Sequence, residues 1–152
     1  MTRSSTPTGI LTKNGSRGVA TSSAPTSAKA SRTILVVDDN PFIRKMVCEA
    51  FVPSCFDSCV HAENGAKALL EAERVKPSAI ILDLSMPVMN GLEAAPRLRR
   101  ILPETPIVLY TLYEPAKFVE ADVSKMGISL IASKDEPLQS LVSKVESLVY
   151  GK

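Results

Sequence analysis

At 152 residues, with 45% hydrophobic and 22% charged side chains, the chain is long enough for one packed domain plus a tail. No apolar run approaches 18 residues and the start lacks the apolar stretch of a secretory signal, so neither a membrane span nor export is expected. The net charge of +2 is uneven: residues 1–32 carry five basic side chains and no acidic one, and the remainder holds 13 basic and 16 acidic residues. A mildly acidic globular part argues against nucleic-acid binding by the fold.

Residues 1–32 are dominated by Ser, Thr, Ala, Gly and Pro, and disorder is the expectation for a segment with so little to bury. The composition also has something of an organelle transit peptide, but no amphipathic helix is evident, and a flexible tail is the favoured reading. From Thr33 onward, short apolar runs alternate with helical spacing. Ile34 to Val37, Ala79 to Leu82, Ile107 to Tyr110 and Ile128 to Ile131 read as strands, and the neighbourhood of Val60 as a weaker one. Uninterrupted apolar runs fit strands covered on both faces, as in a parallel sheet.

Helical spacing links Phe42, Ile43, Met46, Val47, Ala50 and Phe51, then Ala66, Leu69 and Leu70, and finally Leu138, Leu141, Val142, Val145, Leu148 and Val149. Asn40 before Pro41 is a capping residue followed by a first-turn proline. Glu136 before Pro137 is a weaker version of that start. Pro96 lies about five residues into the predicted third helix and should kink or delay it. The alternation of strand and helix implies an open sheet with helices on both faces.

The three cysteines, Cys48, Cys55 and Cys59, form no C-x-x-C pair, and any disulfide would leave one over. Reduced thiols in a cytoplasmic protein are expected. His61 is the one histidine, and the cysteine spacing matches no zinc pattern, so no metal role follows for it.

In an open α/β sheet the ligand site lies beyond the carboxyl ends of the strands, at the switch in strand order. Asp38 and Asp39 follow the first strand, Asp83 the third and Thr111 the fourth, while Lys134 follows the fifth. Three carboxylates crowded at one edge repel one another unless a cation joins them. Mg²⁺ suits such a site, because it prefers oxygen ligands and keeps several waters. One carboxylate can then attack phosphorus as a nucleophile, while a hydroxyl and an ammonium stabilise charge on the phosphoryl oxygens.

The stretches ILVVDDN (34–40), IILDLSMPVMNG (80–91), VLYT (108–111) and IASK (131–134), in this order and spacing, resemble the response-regulator receiver family. The resemblance covers residues 33–150. It implies a flavodoxin-like, doubly wound five-stranded parallel sheet of order 2-1-3-4-5. It also implies that Asp83 accepts a phosphoryl group, that Asp39 binds Mg²⁺ directly and Asp38 through water, and that the carbonyl of Ser85 is a further ligand. Thr111 and Lys134 would contact the phosphoryl group. Met86, Pro87 and Gly91 match the loop behind the acceptor. The implied donor is a histidine kinase or a phosphotransfer protein. Output would pass to a downstream protein target, with room for a phosphorylation-dependent homodimer and with neither nucleic acid nor membrane involved. No effector follows the last helix, and the only chemistry expected is self phosphoryl transfer and autodephosphorylation, in the cytoplasm.

Three departures bear on switching. Asp135 stands where the family usually has proline after the lysine, so a trans peptide bond is expected there. Ile131 stands where an aromatic switch residue is usual. Leu112 and Tyr113 follow Thr111, where a small residue is usual. These leave some room for a pseudo-receiver that signals by binding alone. A free-standing Mg²⁺ phosphohydrolase is a third reading, but no dedicated acid or base for turnover is apparent.

Overall fold

The computed structural model describes residues 31–52, 54–112 and 120–151. The expectations for a disordered tail and for Tyr113 lie outside these residues, apart from Ser31 and Arg32. Strands and helices alternate: β1 Thr33–Val37, α1 Pro41–Phe51, β2 Ser58–Ala62, α2 Gly65–Val75, β3 Ala79–Leu82, α3 Gly91–Ile101, β4 Ile107–Thr111, α4 Glu120–Lys125, β5 Leu130–Ser133 and α5 Leu138–Tyr150. All strands pair parallel in the order β2-β1-β3-β4-β5, a flavodoxin-like sheet.

The central strands bury every apolar side chain, because both faces of the sheet are covered. Leu35, Val37, Ile80, Leu82, Ile107 and Leu109 face one core, shared with Ala68, Ala72, Ala94 and Leu98 of α2 and α3. Ile34, Val36, Ile81, Val108 and Tyr110 face the other, shared with Val47 and Phe51 of α1 and Leu141, Val142 and Val145 of α5. Burying one such large side chain contributes about 1.5–3 kcal/mol.

Local sequence explains the helix starts near the sheet's carboxyl edge. Asn40 accepts the amides of Phe42 at 2.9 Å and Ile43 at 3.3 Å, and Pro41 opens α1. Asn64 caps α2 through the Lys67 amide. Asn90 and Glu93 form a reciprocal capping box at the head of α3.

Three expectations need correction. Helix α3 starts at Gly91 and runs through Pro96 to Ile101, so the proline does not delay it. The capping box fixes the start, and Pro96 removes one bond inside the helix. The fifth strand is Leu130–Ser133, two residues later than the apolar run suggests. Gly127 turns the chain at φ +85°, and Ile128 is buried in the connection before the strand begins. Helix α5 has Pro137 as its cap residue without a side-chain bond, and Glu136 instead accepts Ser140 Oγ at 2.7 Å and Lys144 Nζ at 2.8 Å.

Candidate phosphoacceptor site

The carboxyl ends of β1, β3, β4 and β5 open into a cleft of about 680 Å³ lined by Asp38, Asp39, Asn40, Ile43, Asp83, Ser85, Thr111, Leu112 and Lys134. All six residues singled out from the sequence therefore meet in one place. Strand pairing puts them there. The Asp38 amide donates to the Ala62 carbonyl at 3.1 Å and the Asp83 amide to the Val37 carbonyl at 2.9 Å. The Lys134 amide donates to the Thr111 carbonyl at 2.8 Å. Asp38, Asp83, Thr111 and Lys134 are thus each the last rung of a ladder or the first residue past it, with Asp39 and Ser85 just beyond.

Carboxylate oxygens of Asp38, Asp39 and Asp83 lie within 4.8 Å of one another. Lys134 Nζ donates to Asp38 Oδ2 at 2.7 Å and to Asp83 Oδ1 at 3.1 Å, a single ammonium shared between two acids. Asp38 and Asp83 are only 3% and 7% exposed, so neither is solvated as an ordinary surface acid. Asp38 Oδ1 also accepts the Asn40 amide at 2.9 Å, and Asp83 Oδ1 accepts the Leu84 amide at 2.9 Å. Asp39 is exposed and also lines a neighbouring recess with Ser85, Met86, Pro87 and Asn90.

The electrostatics follow from this burial. Desolvation, then the charge of Asp38, raise the pKa of Asp83, and Lys134 only partly offsets them. Burial alone would lower the pKa of Lys134, but its bond to Asp38 and the charges of Asp38 and Asp83 outweigh that and raise it. The site therefore favours one more positive charge near Asp83. A hard divalent cation matches three carboxylates that share oxygen donors at this spacing.

Backbone geometry shapes the loop behind Asp83. A Cβ on Gly91 would stand 2.2 Å from the Asp83 carbonyl oxygen, so no larger residue fits without moving the acceptor's own backbone. The Gly91 amide closes the loop by donating to the Leu84 carbonyl at 2.9 Å. Val88, at φ 66°, lies at the exposed tip.

Two neighbours are not among the residues singled out from the sequence. Arg44 Nη1 donates to the Asp38 carbonyl at 2.6 Å, a reach predictable only once α1 is known to start at Pro41. Tyr110 lies beneath Lys134, whose Nζ is 5.8 Å from the ring centroid. No peptide bond among the described residues is cis, and the Lys134–Asp135 bond is trans as expected.

The cysteines differ from expectation. Cys48 of α1 and Cys59 of β2 are joined as a disulfide with Cα atoms 5.7 Å apart, and Cys55 is left over. Helix and strand positions eleven residues apart give no pairing signal in sequence, because only packing brings the α1 face onto β2.

The response regulator receiver domain model matches residues 34–146. A putative transcriptional regulator of Pseudomonas aeruginosa is 32% identical over 118 residues, which cover 78% of this chain and 56% of that protein. A protein-glutamate methylesterase/protein-glutamine glutaminase of Hahella chejuensis is 30% identical over 122 residues, 78% of this chain and 31% of that one. The chain thus spans between about a third and just over half the length of these relatives. The solved structure of chemotaxis protein CheY4 from Vibrio cholerae matches with a TM-score of 0.70 at 27% identity, covering 78% of this chain and 99% of that one. With the receiver model matched across most of its length and the sheet order that such domains share, the chain belongs to the response regulator receiver domain family.

Proposed function

We propose that this chain is a phosphorelay response regulator in which Asp83 takes a phosphoryl group from a histidine kinase or phosphotransfer protein. The observation that carries the reading is the single ammonium of Lys134 shared by buried Asp38 and Asp83, in a cleft that Asp39 and Thr111 also line. Such a cluster is electrostatically incomplete, and a phosphoryl group with its cation completes it.

The residues divide the work. Lys134 and the Leu84 amide both donate to Oδ1 of Asp83, and Oδ2 is the attacking oxygen in this reading. Its bond to phosphorus forms as the bond to the donor's leaving atom breaks, giving an acyl phosphate. Lys134 is then placed to leave Asp83 for a phosphoryl oxygen while retaining Asp38. Thr111 is placed to meet another phosphoryl oxygen from the β4 side.

Asp39, exposed and beside Ser85, is the direct ligand for Mg²⁺ in this reading, with the Ser85 carbonyl and Asp83. Asp38, whose two carboxylate oxygens already hold Lys134 and the Asn40 amide, acts through water. When bound, Mg²⁺ supplies charge neutralisation between acceptor and phosphoryl oxygens. Output goes to a protein target in the cytoplasm, and a phosphorylation-dependent homodimer fits the same scheme. Among the described residues no helix is long and apolar enough to cross a membrane.

Intact-mass spectrometry after treatment with acetyl phosphate and Mg²⁺ should show one added phosphoryl group, absent from Asp83→Asn. Equal labelling of that variant would reassign the acceptor.

A further inference from the structure

A second cluster lies on the other flank of β1. Strand β2 is the sheet's edge, paired only with β1. Its alternation sends Val60 and Ala62 to one core, while Cys59 packs with the other beneath α1. His61, two residues on, shares that face. Cys48, on the buried side of α1 and 7% exposed, descends onto the pair. Its Sγ is 3.2 Å from His61 Nε2, and it is the atom bonded to Cys59. The three ligand atoms lie within 4.8 Å of one another. None of these residues belongs to the acid cleft.

We propose that Cys48, Cys59 and His61 form a dithiol–disulfide centre that reacts with hydroperoxides. The reading is independent of the phosphoacceptor proposal. A Cα separation of 5.7 Å suits a disulfide without backbone movement. A histidine in contact with a thiol is the arrangement that makes a thiolate. Partial burial, then the charge of Arg44, lower the His61 pKa, so the resting ring is neutral and holds the thiol proton only transiently; its contact with Cys48 is what places it as the base. Cys48 is itself buried, so a small oxidant reaches its sulfur past exposed His61 and half-buried Cys59.

In the reduced state the Cys48 thiol gives its proton to His61 Nε2. The thiolate attacks a peroxide oxygen: an S–O bond forms, the O–O bond breaks, and the leaving hydroxide takes the imidazolium proton to become water. Cys59 then attacks the Cys48 sulfur. The S–S bond forms, the S–O bond breaks, and hydroxide leaves as water with the Cys59 proton. Two thiols are oxidised by two electrons and one hydrogen peroxide is reduced to two waters. The product ties α1 to the edge strand one helical turn beyond Arg44, whose guanidinium holds the Asp38 carbonyl.

The test uses the full chain, reduced with dithiothreitol, desalted and given stoichiometric hydrogen peroxide. Intact mass should fall by two hydrogens. Peptide mapping should link Cys48 to Cys59 and find Cys55 still open to alkylation. Cys59→Ser should stop at a sulfenic acid on Cys48, trapped by dimedone. His61→Ala should slow disulfide formation by about tenfold or more, and added imidazole should restore the rate. Free alkylation of Cys48 and Cys59 after peroxide would overturn the proposal. So would dimedone labelling of Cys55 in place of Cys48, or one tightly held zinc ion in the reduced protein that blocks oxidation. An unchanged rate in His61→Ala, or a slow one that imidazole does not rescue, would remove His61 as the base.

Discussion

At the β1 and β3 ends of the cleft, Asp38 and Asp83 share the Lys134 ammonium, which reaches over from the end of β5, and two backbone amides also donate to the carboxylates. On the β4–β5 side, Thr111 is 1% exposed, but the next residue, Leu112, stands 65% exposed at the cleft wall, and Ile131 lies half-buried against the core. One half is fixed by electrostatics and tolerates few alternatives. The other is shaped by apolar side chains whose form can vary without disturbing the charges. In the proposed reading, phosphoryl chemistry belongs to the first half and transmission of the phosphorylated state to the second.

The charge half breaks most severely if its cation is removed. Lys134→Met leaves Asp38 and Asp83 facing one another with no ammonium between them. Deleting one partner of a buried, hydrogen-bonded ion pair costs about 3–5 kcal/mol. Thermal melts by circular dichroism at pH 7 should fall by about 10 °C or more, taking about 4 °C per kcal/mol for a domain of this size. Mg²⁺ should recover part of the loss in Lys134→Met, since it replaces the missing charge. A melting temperature within a few degrees of the parent would show that the carboxylates do not depend on Lys134.

A smaller effect of opposite sign comes from Asp83→Asn. The amide keeps an acceptor for Lys134 and for the Leu84 amide but removes one of the crowded charges. The folded-state pKa of Asp83 lies above its ordinary value, from burial first and the charge of Asp38 second. The folded state therefore holds that proton more tightly than the unfolded chain. Ionised Asp83 costs stability once pH has risen through the folded pKa, and the cost disappears as pH falls back through it toward the ordinary value. Asp83→Asn should be more stable than the parent at pH 7, by about 1 kcal/mol or a few degrees, with the gain shrinking as the medium is acidified. Urea melts across that range measure it. A variant less stable than the parent at pH 7 would mean that the Lys134 and Leu84 contacts outweigh desolvation.

The same division governs how much was legible in the sequence. Asp38, Asp39, Asp83, Thr111 and Lys134 stand out because each terminates or follows an apolar run, and parallel pairing brings strand ends to one edge. The sheet order came only with the resemblance carried by the receiver-like motifs. Less was legible where an apolar residue serves a turn: Ile128 extends the hydrophobic run, yet it fills the connection after Gly127 instead of joining β5. Contacts made only by packing were not legible at all. Cys48 meeting Cys59 depends on how α1 lies on β2, which no local spacing encodes, and Arg44 reaching Asp38 follows only once α1 is known to start at Pro41.

The smallest effect concerns the transmitting half. A ligand shifts an equilibrium only by its different interaction with the two states. In the proposed reading a phosphoryl group on Asp83 meets Thr111, which lines the same cleft, and a pull on that hydroxyl acts on the backbone that leads into Leu112. Ile131 pairs in register with Leu109, one strand over and two residues before Thr111. It is β-branched, has restricted rotamers and carries no ring to swing into vacated space. Leu112, at the cleft wall, is free to move into solvent. The change should therefore leave the site through the backbone at Leu112 and not through rotation at position 131. With Mg²⁺ and beryllofluoride as the phosphoryl mimic, the Leu112 amide should shift strongly in NMR spectra, while the Ile131 methyl couplings report an unchanged rotamer. A rotamer change at Ile131 as large as the response at Leu112 would show that the aliphatic side chain takes over the aromatic's role, and the contrast between the two halves of the cleft would then not extend to signalling.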